Sequence, residues 1–252
     1  MSTPFAAAYD LTGQVALLTG ASGGIGTAVA ELFAERGCRL VLVDRNPAGA
    51  ALAARLGPQH IHLTADASDE VSVCAAVAQA IARTGRIDIL VNNAGIALLA
   101  KAEDTTSAQW DQVMDVNLRG CFLYAREVGR HMLLRGYGRI INMASQAATV
   151  GLEQHLAYCT SKAGLLGMTR VLALEWSGHG ITTNAISPTV VETELGRKAW
   201  AGEIGVAFKK KIPTGRFAQP EEVAQATLYL ASGAAGMLNG MNLALDGGYT
   251  AI

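Results

Sequence analysis

The chain has 252 residues, half of them apolar, which is enough for one large hydrophobic core and too few for two comfortable domains. Its 20 basic and 21 acidic residues give a net charge of −1, which excludes the basic surface expected of a protein that binds nucleic acid or anionic membranes. No apolar stretch approaches the ~20 residues of a membrane span, and residues 1–9 lack the pattern of a signal peptide, so we expect a cytoplasmic single-domain protein spanning 1–252.

Short apolar runs alternate with helical periodicity from residue 15 onward. This alternation predicts strands at 15–18, 40–43, 61–64, 87–91, 139–143, 181–186 and 242–245. It predicts helices at 27–36, 70–83, 107–134, 158–176 and 220–231. Strands that are apolar throughout and alternate with helices indicate an α/β fold, a parallel sheet covered on both faces. The one irregular segment, 193–213, is long enough to be a substrate lid.

The four cysteines have neither the spacing of a zinc site nor that of a disulfide scaffold. They are Cys38, Cys74, Cys121 and Cys159, scattered through segments predicted as helix or strand. We therefore expect free thiols and no bound metal.

Residues 19–26, TGASGGIG, form a glycine-rich segment between the first predicted strand and the first predicted helix. Gly20, Gly24 and Gly26 would let the backbone approach a pyrophosphate, and the first amides of the helix would point at it. The spacing Gly-x-x-x-Gly-x-Gly is one residue longer than the common dinucleotide fingerprint. A strand before the segment and a helix after it predict a nucleotide site.

An acidic residue, Asp44, ends the next predicted strand. A carboxylate in this position accepts hydrogen bonds from the adenosine ribose hydroxyls of a dinucleotide and repels a 2′-phosphate. The sequence therefore favours NAD over NADP as the cofactor. Arg45 is able to pair with a phosphate, but we interpret it as a solvated surface charge because Asp44 occupies the recognition position.

Tyr158 and Lys162 lie four residues apart on a predicted helix, so they share one of its faces. A neighbouring cation stabilises the phenolate form of a tyrosine and makes it a usable proton carrier near neutral pH. Such a pair also occurs by chance on solvated helices. It becomes informative here because it follows the glycine-rich segment.

Three further motifs lie between the glycine-rich segment and the Tyr158 and Lys162 pair. They are Asn92-Asn-Ala-Gly95, Asn117 and Ser145. Together these residues resemble the short-chain dehydrogenase/reductase family in its single-domain form, over about 11–252. The resemblance implies a Rossmann fold, a doubly wound sheet of seven parallel strands in the order 3-2-1-4-5-6-7. It also implies a homotetramer, and the helices at 107–134 and 158–176 contain more apolar positions than one core-facing stripe needs.

The resemblance also implies roles for individual residues. The catalytic tetrad would be Asn117, Ser145, Tyr158 and Lys162. Asp66 and Ala67 would meet the adenine, Asn93 the adenosine ribose, and Val191 and Thr193 the nicotinamide carboxamide. The full set expected to bind the cofactor is Gly20, Ser22, Gly24, Ile25, Gly26, Asp44, Asp66, Ala67, Asn93, Ala94, Gly95, Tyr158, Lys162, Pro188, Val191 and Thr193.

One position departs from the family pattern. The family usually has glycine after its late proline, but here Pro188 is followed by Thr189. A Cβ at this turn would narrow the space beside the nicotinamide.

The substrate is indicated less specifically. Gln146, Gln154 and His155 lie near Ser145 and Tyr158 in sequence, and polar side chains there suit a hydroxyl-rich substrate. The segment 184–201, which includes Trp200 as a candidate cap of the pocket, resembles bacterial polyol dehydrogenases of the D-threitol type.

Two alternatives stay open. A 3-oxoacyl-thioester reductase would share the fold and the tetrad, and a non-catalytic NAD-binding regulator would share the fold alone. A serine hydrolase is excluded because no Gly-x-Ser-x-Gly motif surrounds Ser145.

Overall fold

The computed structural model describes residues 7–251, apart from the side chain of Leu195. Residues 1–6 and 252 of the predicted single domain lie outside the described residues. Seven parallel strands form one sheet: β1 Val15–Thr19, β2 Arg39–Asp44, β3 Ile61–Thr64, β4 Ile89–Asn92, β5 Gly138–Met143, β6 Ile181–Pro188 and β7 Asn242–Leu245. Their order, β3-β2-β1-β4-β5-β6-β7, confirms the predicted Rossmann fold.

Nine α-helices have both ends within residues 7–251. They are α1 Gly24–Glu35, α2 Ala48–Leu56, α3 Glu70–Thr84, α4 Ser107–Met114, α5 Gly120–Arg135, α6 Leu156–Trp176, α7 Glu194–Ala199, α8 Gly202–Lys209 and α9 Pro220–Ala231. Alternate residues of β1 face opposite sides of the sheet, as the strand period requires. Ala16 and Leu18 pack with α1, α2 and α9, whereas Val15 and Leu17 pack with α3, α5 and α6. The sheet is therefore covered on both faces.

The direction of winding reverses at β1, which pairs with β2 on one side and β4 on the other. Leu17 lies opposite Val41 of β2 and Leu90 of β4. Ligands of doubly wound sheets bind outside the carboxyl ends of the strands at such a reversal. The fold therefore places a binding crevice beyond Thr19, where the glycine-rich segment begins.

The sequence prediction was wrong at three places. It missed α2, whose nine residues lie between Pro47 and Gly57, because these turn-forming residues hid a short Ala-rich helix. It extended one helix over 107–134, where the structure has α4, a π-helical turn at Asp115–Arg119 and then α5. Such a turn adds a residue to the helical repeat without changing the apolar pattern enough to be read. The third error is the irregular segment 193–213, which contains α7 and α8.

The helices that carry the site have well-defined starts. Thr106 and Gln109 form a reciprocal capping box at α4, and Asp69 accepts hydrogen bonds from the amides of Val71 and Ser72 at α3. Among the described residues, no helix combines the length and apolar character needed to cross a membrane.

His60 is a buried histidine outside the crevice. Its Nδ1 accepts a hydrogen bond from the main-chain amide of Leu40 in β2 at 3.1 Å, so this nitrogen carries no proton. Burial, with a further contribution from Arg39, lowers the pKa of His60 below its ordinary value. Burial lowers the pKa of His62 and His131 in the same direction. In the window between the lowered and the ordinary pKa, the unfolded chain binds more protons than the folded chain.

We therefore expect the free energy of unfolding to decrease as the pH falls below about 6.5, the ordinary value for histidine, and to keep decreasing until the pH passes the folded-state pKa values. His60→Asn should make this decrease shallower, because an amide oxygen can replace Nδ1 as the acceptor without titrating. Thermal unfolding between pH 5 and 8 (roughly the range in which histidine titrates) would measure the effect. The control is the exposed His179, where His179→Asn should leave the pH dependence unchanged. An equal effect of both substitutions would contradict this account of His60.

Candidate active site

The glycine-rich segment is a close-packed turn in which side chains would not fit. Gly20 has φ +64°, and a Cβ there would lie 2.8 Å from the Cα of Ala94. A Cβ on Gly26 would lie 2.3 Å from the carbonyl oxygen of Gly20, and one on Gly24 would lie 2.6 Å from a methyl carbon of Thr193. The glycines thus let β1, α1 and the 193–213 segment approach one another.

The N-terminus of α1 opens into the crevice. Gly23 precedes the helix and supplies no side chain to cap it, so the first amides of α1 have no side-chain acceptor. Such amides form a favourable site for a phosphate. This uncapped helix end, together with the glycine turn, fits the pyrophosphate of a dinucleotide.

A cleft of about 750 Å³ lies above the glycine turn. Twelve of the residues predicted to bind the cofactor line it: Gly20, Ser22, Gly24, Ile25, Gly26, Asp44, Asp66, Ala67, Asn93, Ala94, Gly95 and Thr193. These residues come from five separate stretches of sequence. The fold brings them together because they follow the carboxyl ends of β1, β2, β3, β4 and β6.

Asp44 is held in place by the glycine turn. Its Oδ2 accepts hydrogen bonds from the amide of Ser22 at 2.9 Å and from the Ser22 hydroxyl at 2.6 Å, and its Oδ1 accepts one from the amide of Asn46 at 2.9 Å. These contacts fix the carboxylate at the end of β2 on the wall of the cleft. The arrangement explains the choice of serine at position 22, because its hydroxyl orients the carboxylate.

Asp66 lies across the cleft at the end of β3. The Ser68 hydroxyl and amide both donate to its Oδ1, and they hold the pKa of Asp66 below its ordinary value. Arg45 approaches the other carboxylate oxygen at 3.8 Å, while 72% of the Arg45 side chain remains exposed. This distant and mostly solvated pair agrees with the interpretation of Arg45 as a surface charge, although Arg45 does line the cleft.

Lys162 and Tyr158 lie one helical turn apart on α6. Lys162 is 4% exposed, and its Nζ donates to the main-chain oxygen of Met143 at 2.7 Å. The same Nζ lies 5.7 Å from the centroid of the Tyr158 ring. The predicted pair is therefore brought together at the carboxyl end of β5, with the ammonium buried and the phenol partly accessible.

Asn117 occupies the middle of the π-helical turn between α4 and α5 and is fully buried. Its side chain joins two other segments. Oδ1 accepts from the amide of Ile96 at 2.8 Å, and Nδ2 donates to the carbonyl of Ile96 at 2.9 Å and to the Ser161 hydroxyl at 3.1 Å. Asn117 thereby connects the segment after β4 to the residue before Lys162.

Gly95 is the meeting point of the cofactor cleft and the tetrad. A Cβ on Gly95 would lie 3.3 Å from Asn117 Oδ1 and 3.5 Å from Lys162 Nζ. Since Gly95 also lines the cleft, a nicotinamide ribose passing this glycine would come within reach of the lysine. This small passage fits the end of a dinucleotide and disfavours a larger residue here.

Ser145 follows β5 and begins the 3-10 turn Gln146–Ala148. Its Oγ accepts a hydrogen bond from the amide of Ala147 at 3.2 Å, which leaves its proton free to be donated. Because Ser145 stands two residues after Met143, the carbonyl partner of Lys162, the serine lies at the same strand end as the lysine.

The predicted substrate residues are separated by the structure. His155 lies beside Tyr158, with ring centroids 5.9 Å apart in an edge-to-face arrangement. Gln146 is buried, and its Oε1 has no hydrogen-bond partner among the described residues. Gln154 is exposed and has φ +64°, the one positive value outside glycine in residues 7–251, so its position is explained by a turn.

Trp200 belongs to an aromatic cluster beneath the 193–213 segment. Its ring centroid lies 4.5 Å from that of Phe208 and 6.3 Å from that of Phe217, and Phe208 stacks on Tyr249 at 5.2 Å. Through these contacts the Trp200 ring helps to anchor the segment to the C-terminal turn that contains Tyr249. The contacts favour a packing role for the partly buried Trp200 over the predicted role as a cap of the pocket.

Pro188, Val191 and Thr189 follow the end of β6. Val191 is nearly buried and forms an isolated parallel bridge with Ala218, and Pro188 is the last residue of β6. Neither lines the cleft as it stands. Thr189, at the usual glycine position, is buried, and its hydroxyl has no partner among the described residues.

The sequence did not single out several residues that line the cleft. They include Asn46, Ile96, Gln112, Val116, Tyr124, Glu194 and Lys198. Ile96 directly follows Gly95, and Asn46 lies two residues after Asp44, so their place in the cleft could have been inferred from these neighbours. Gln112 lies on α4 and Val116 in the π-helical turn that follows it, and neither left a signal in the sequence. No group of three or more His, Cys, Asp or Glu side chains that would suit a metal ion occurs within residues 7–251.

Comparison with known proteins places this architecture. The family model described as Enoyl-(Acyl carrier protein) reductase matches residues 20–250. The D-threitol dehydrogenase of Mycolicibacterium smegmatis is 54% identical over 246 residues, covering 96% of this chain and 95% of that protein. The NAD-dependent glycerol dehydrogenase of Listeria innocua is 49% identical over 243 residues, covering 96% of each. The crystal structure of a gluconate 5-dehydrogenase from Burkholderia cenocepacia in complex with NADP and tartrate has a TM-score of 0.93 and 36% identity, covering 98% of both chains.

These matches extend over almost the whole length of this chain and of its relatives. They agree with the seven-stranded parallel sheet and with the order of motifs from the glycine turn to the Tyr158 and Lys162 pair. The chain therefore belongs to the short-chain dehydrogenase/reductase family.

Proposed function

We propose that the protein is an NAD-dependent dehydrogenase that interconverts a secondary alcohol of a polyol and the corresponding ketone. Oxidoreductase chemistry at CH–OH groups follows from the family and its named relatives. The observation that carries the proposal is the convergence of Lys162 and Asn117 on Gly95, which lines a dinucleotide-sized cleft, with the Tyr158 ring 5.7 Å from the same ammonium. The D-threitol and glycerol dehydrogenases among the relatives support a polyol as the substrate.

The residues that would hold the cofactor follow from the cleft. The α1 amides and glycine turn would bind the pyrophosphate, and Asp44 would accept hydrogen bonds from the adenosine ribose. Asp66 and Ala67 would border the adenine, while Lys162 would bind the nicotinamide ribose beside Gly95. Val191 and Thr193 would meet the nicotinamide carboxamide, and Pro188 would border the cofactor from the end of β6. When bound, the nicotinamide accepts or delivers a hydride, and the protein supplies orientation and proton transfer.

Tyr158 would exchange the proton of the substrate. During oxidation its phenolate oxygen would take the hydroxyl proton of the alcohol, and during reduction its hydroxyl would return a proton to the carbonyl oxygen. The Lys162 ammonium lies 5.7 Å from the centroid of the Tyr158 ring, on the same face of α6. Ser145, whose hydroxyl hydrogen is free for donation, would stabilise the negative charge that develops on the substrate oxygen.

Asn117 would connect Lys162 with solvent. Its side-chain amide is fully engaged with Ile96 and Ser161, so it acts first as a fixed brace. A proton relay through an ordered water would therefore use the main-chain carbonyl of the π-helical turn. The brace and the relay both depend on the unusual backbone at Asp115–Arg119.

His155 and Gln146 would recognise further hydroxyl groups of a polyol. His155 Nδ1 donates to the carbonyl of Glu153 at 2.6 Å, because a carbonyl only accepts. In the neutral ring Nε2 is then an acceptor, suited to a substrate hydroxyl near Tyr158. Gln146 offers a buried amide oxygen that has no partner in the described residues. The predicted contributions of Gln154 and Trp200 receive less support, because one is exposed and the other is engaged in the aromatic cluster.

Two alternatives are separated by one assay. A 3-oxoacyl-thioester reductase would also fit the fold, since a 3-ketoacyl-(acyl-carrier-protein) reductase from Brucella melitensis has a TM-score of 0.90 and 35% identity. NADH formation should be followed at about pH 9–10, near the titration of a free phenol, with a panel of polyols, and NADH consumption with acetoacetyl thioesters. Turnover of a polyol rejects a non-catalytic NAD-binding regulator. Turnover of thioesters alone rejects the polyol proposal.

Tyr158→Phe should lower kcat by about 10²–10⁴, the usual contribution of general acid–base catalysis, because the ring still packs but the transferable proton is lost. The dissociation constant for NADH, measured by fluorescence titration, should change little. Tyr229→Phe removes a hydroxyl from α9, away from the cleft, and should keep normal turnover. A Tyr158→Phe enzyme within threefold of wild-type kcat would remove Tyr158 from the mechanism.

Asp44 should set the preference for NAD over NADP. Asp44→Ala removes both the ribose acceptor and the negative charge, so the ratio of kcat/KM for NAD to that for NADP should fall at least about tenfold, the equivalent of one charge-assisted interaction. Ser22→Ala should have a smaller effect in the same direction, because Ser22 orients the carboxylate. Tighter binding of NADPH than of NADH by the wild-type protein would contradict this role.

A homotetramer is the assembly that we propose. Phe122 on α5 and Val171 and Leu174 on α6 are exposed, and 81% of Leu174 is accessible. Exposed apolar side chains grouped on long helices are typical of subunit interfaces, and closed symmetric assemblies are the usual outcome. Light scattering at micromolar concentration should give about four times the 26.2 kDa chain mass. A monomer mass would refute the proposal.

The segment 193–213 would serve as the lid of the site. Thr193 caps α7 and lies against Gly24, so the segment covers one side of the cofactor cleft. Lys209 and Glu192 form an ion pair at 3.0 Å, and the aromatic cluster holds α8. A segment anchored at its far end and touching the glycine turn at its near end would exclude water from the hydride path when closed.

The composition and the dehydrogenase role are in keeping with a cytoplasmic location.

A further inference from the structure

A chain of buried side-chain hydrogen bonds crosses from the sheet to α6 directly below the site. Asn92 Nδ2 donates to Asn142 Oδ1 at 2.9 Å and to the carbonyl of Cys121 at 3.3 Å. Asn142 Nδ2 donates to Thr169 Oγ1 at 2.9 Å, and Thr169 Oγ1 donates to the carbonyl of Leu165 at 2.7 Å. Asn92, Asn142 and Thr169 are at most 1% exposed.

The hydrogen-bond chain joins β4 to the three elements that carry or adjoin the proposed tetrad. Asn92 ends β4 and lies opposite Asn142 of β5, while Cys121 belongs to α5 and Thr169 to α6. Asn117 precedes α5, Ser145 follows β5, and Tyr158 and Lys162 lie on α6. The side chains of Asn92, Asn142 and Thr169 make none of the proposed catalytic or cofactor contacts. Their hydrogen bonds therefore serve to hold the elements together.

Thr169 and Lys162 attach the same face of α6 to neighbouring residues of β5. They are seven residues apart, two helical turns, and therefore lie almost above one another. Lys162 Nζ binds the carbonyl of Met143, and Thr169 Oγ1 binds the side chain of Asn142. Two attachments on one face fix both the rotation and the axial position of a helix, whereas one leaves it free to pivot.

We propose that Thr169, acting through Asn142, is a positioning residue that holds α6 so that the Lys162 ammonium and the Tyr158 phenol keep their separation. In this buried interface Asn142 Nδ2 has no other acceptor among the described residues, and leaving a buried donor unpaired is costly. Loss of the Thr169 hydroxyl therefore drives Asn142 or α6 to move. The inference rests on the proposed roles of Tyr158 and Lys162.

Thr169→Val tests the inference because it removes the hydroxyl and keeps the shape. We expect kcat with the polyol that the wild-type enzyme oxidises to fall about tenfold, less than the ~100-fold that a 1 Å misplacement can cause. The pH profile of kcat should change as well, because the ammonium and the phenol no longer keep their separation. The dissociation constant for NADH should stay within about twofold of the wild-type value, which is well below a tenfold change in affinity. Thr169→Ser should restore both kcat and the pH profile.

Thr227→Val is the matched control. Thr227 is also a fully buried helical threonine whose hydroxyl donates to the carbonyl four residues earlier, Val223, at 2.8 Å. It lies on α9, on the other face of the sheet, and no second side chain binds its hydroxyl in the described part of the chain. Thr227→Val should keep wild-type kcat and pH profile. If both valine variants lose activity equally, the effect of Thr169 is one of general packing and the inference is overturned.

A readout independent of activity separates this inference from the proposed function. Amide hydrogen exchange of residues 156–166 should become faster in Thr169→Val and stay unchanged in Thr227→Val. A wild-type protein that oxidises no polyol would refute the proposed function, and the exchange rates would still decide whether Thr169 holds α6. Unchanged exchange together with unchanged kcat in Thr169→Val would overturn the inference. Should Thr169→Val fail to fold, Thr169→Ala carries the same expectations.

Discussion

A buried ammonium group is the constraint on which the proposed catalytic site depends. Lys162 is almost inaccessible to solvent, and a charge in such a place is costly unless hydrogen bonds satisfy it. The ammonium donates a hydrogen bond to the carbonyl of Met143 at the end of β5. The need to satisfy this charge ties α6 to the sheet, and Tyr158, one turn earlier on the same helix, is tied with it.

The parallel topology makes this single attachment useful. Because all seven strands run in one direction, their carboxyl ends share an edge, and the residues that follow them meet there. The cofactor side of this edge depends on small residues that permit close approach, as at Gly20 and Gly26. The catalytic side depends on buried polar groups with defined partners, as at Asn117. Gly95 belongs to both sides, which explains why a side chain there would disturb cofactor and catalyst together.

Local signals were sufficient for the strands, the glycine turn, Asp44 and the Tyr158 and Lys162 pair. The strand order and the other cleft residues that were predicted came from the resemblance to the family. The sequence failed where the signal is not local. The π-helical turn at Asp115–Arg119 carries no distinctive pattern, yet it contains the buried Asn117 and the cleft residue Val116. Trp200 gave no indication of whether it faces the substrate or Phe208. The pairing of Asn142 with Thr169 was equally hidden, since it joins residues 27 positions apart.

The central claim is that a hydride passes directly from a polyol carbon to the cofactor beside Lys162 while Tyr158 takes the hydroxyl proton. Transfer of an isotopic label tests it most directly. The enzyme should be incubated with NAD and a polyol deuterated at its secondary carbinol carbons, and the NADH formed should be analysed by mass spectrometry. The account predicts one deuterium in each NADH formed from the carbon-deuterated polyol. It predicts no deuterium in the NADH formed from a polyol deuterated only at its hydroxyl groups and incubated in light water. NADH that lacks deuterium from the carbon-labelled polyol, or the absence of any NADH, would contradict it.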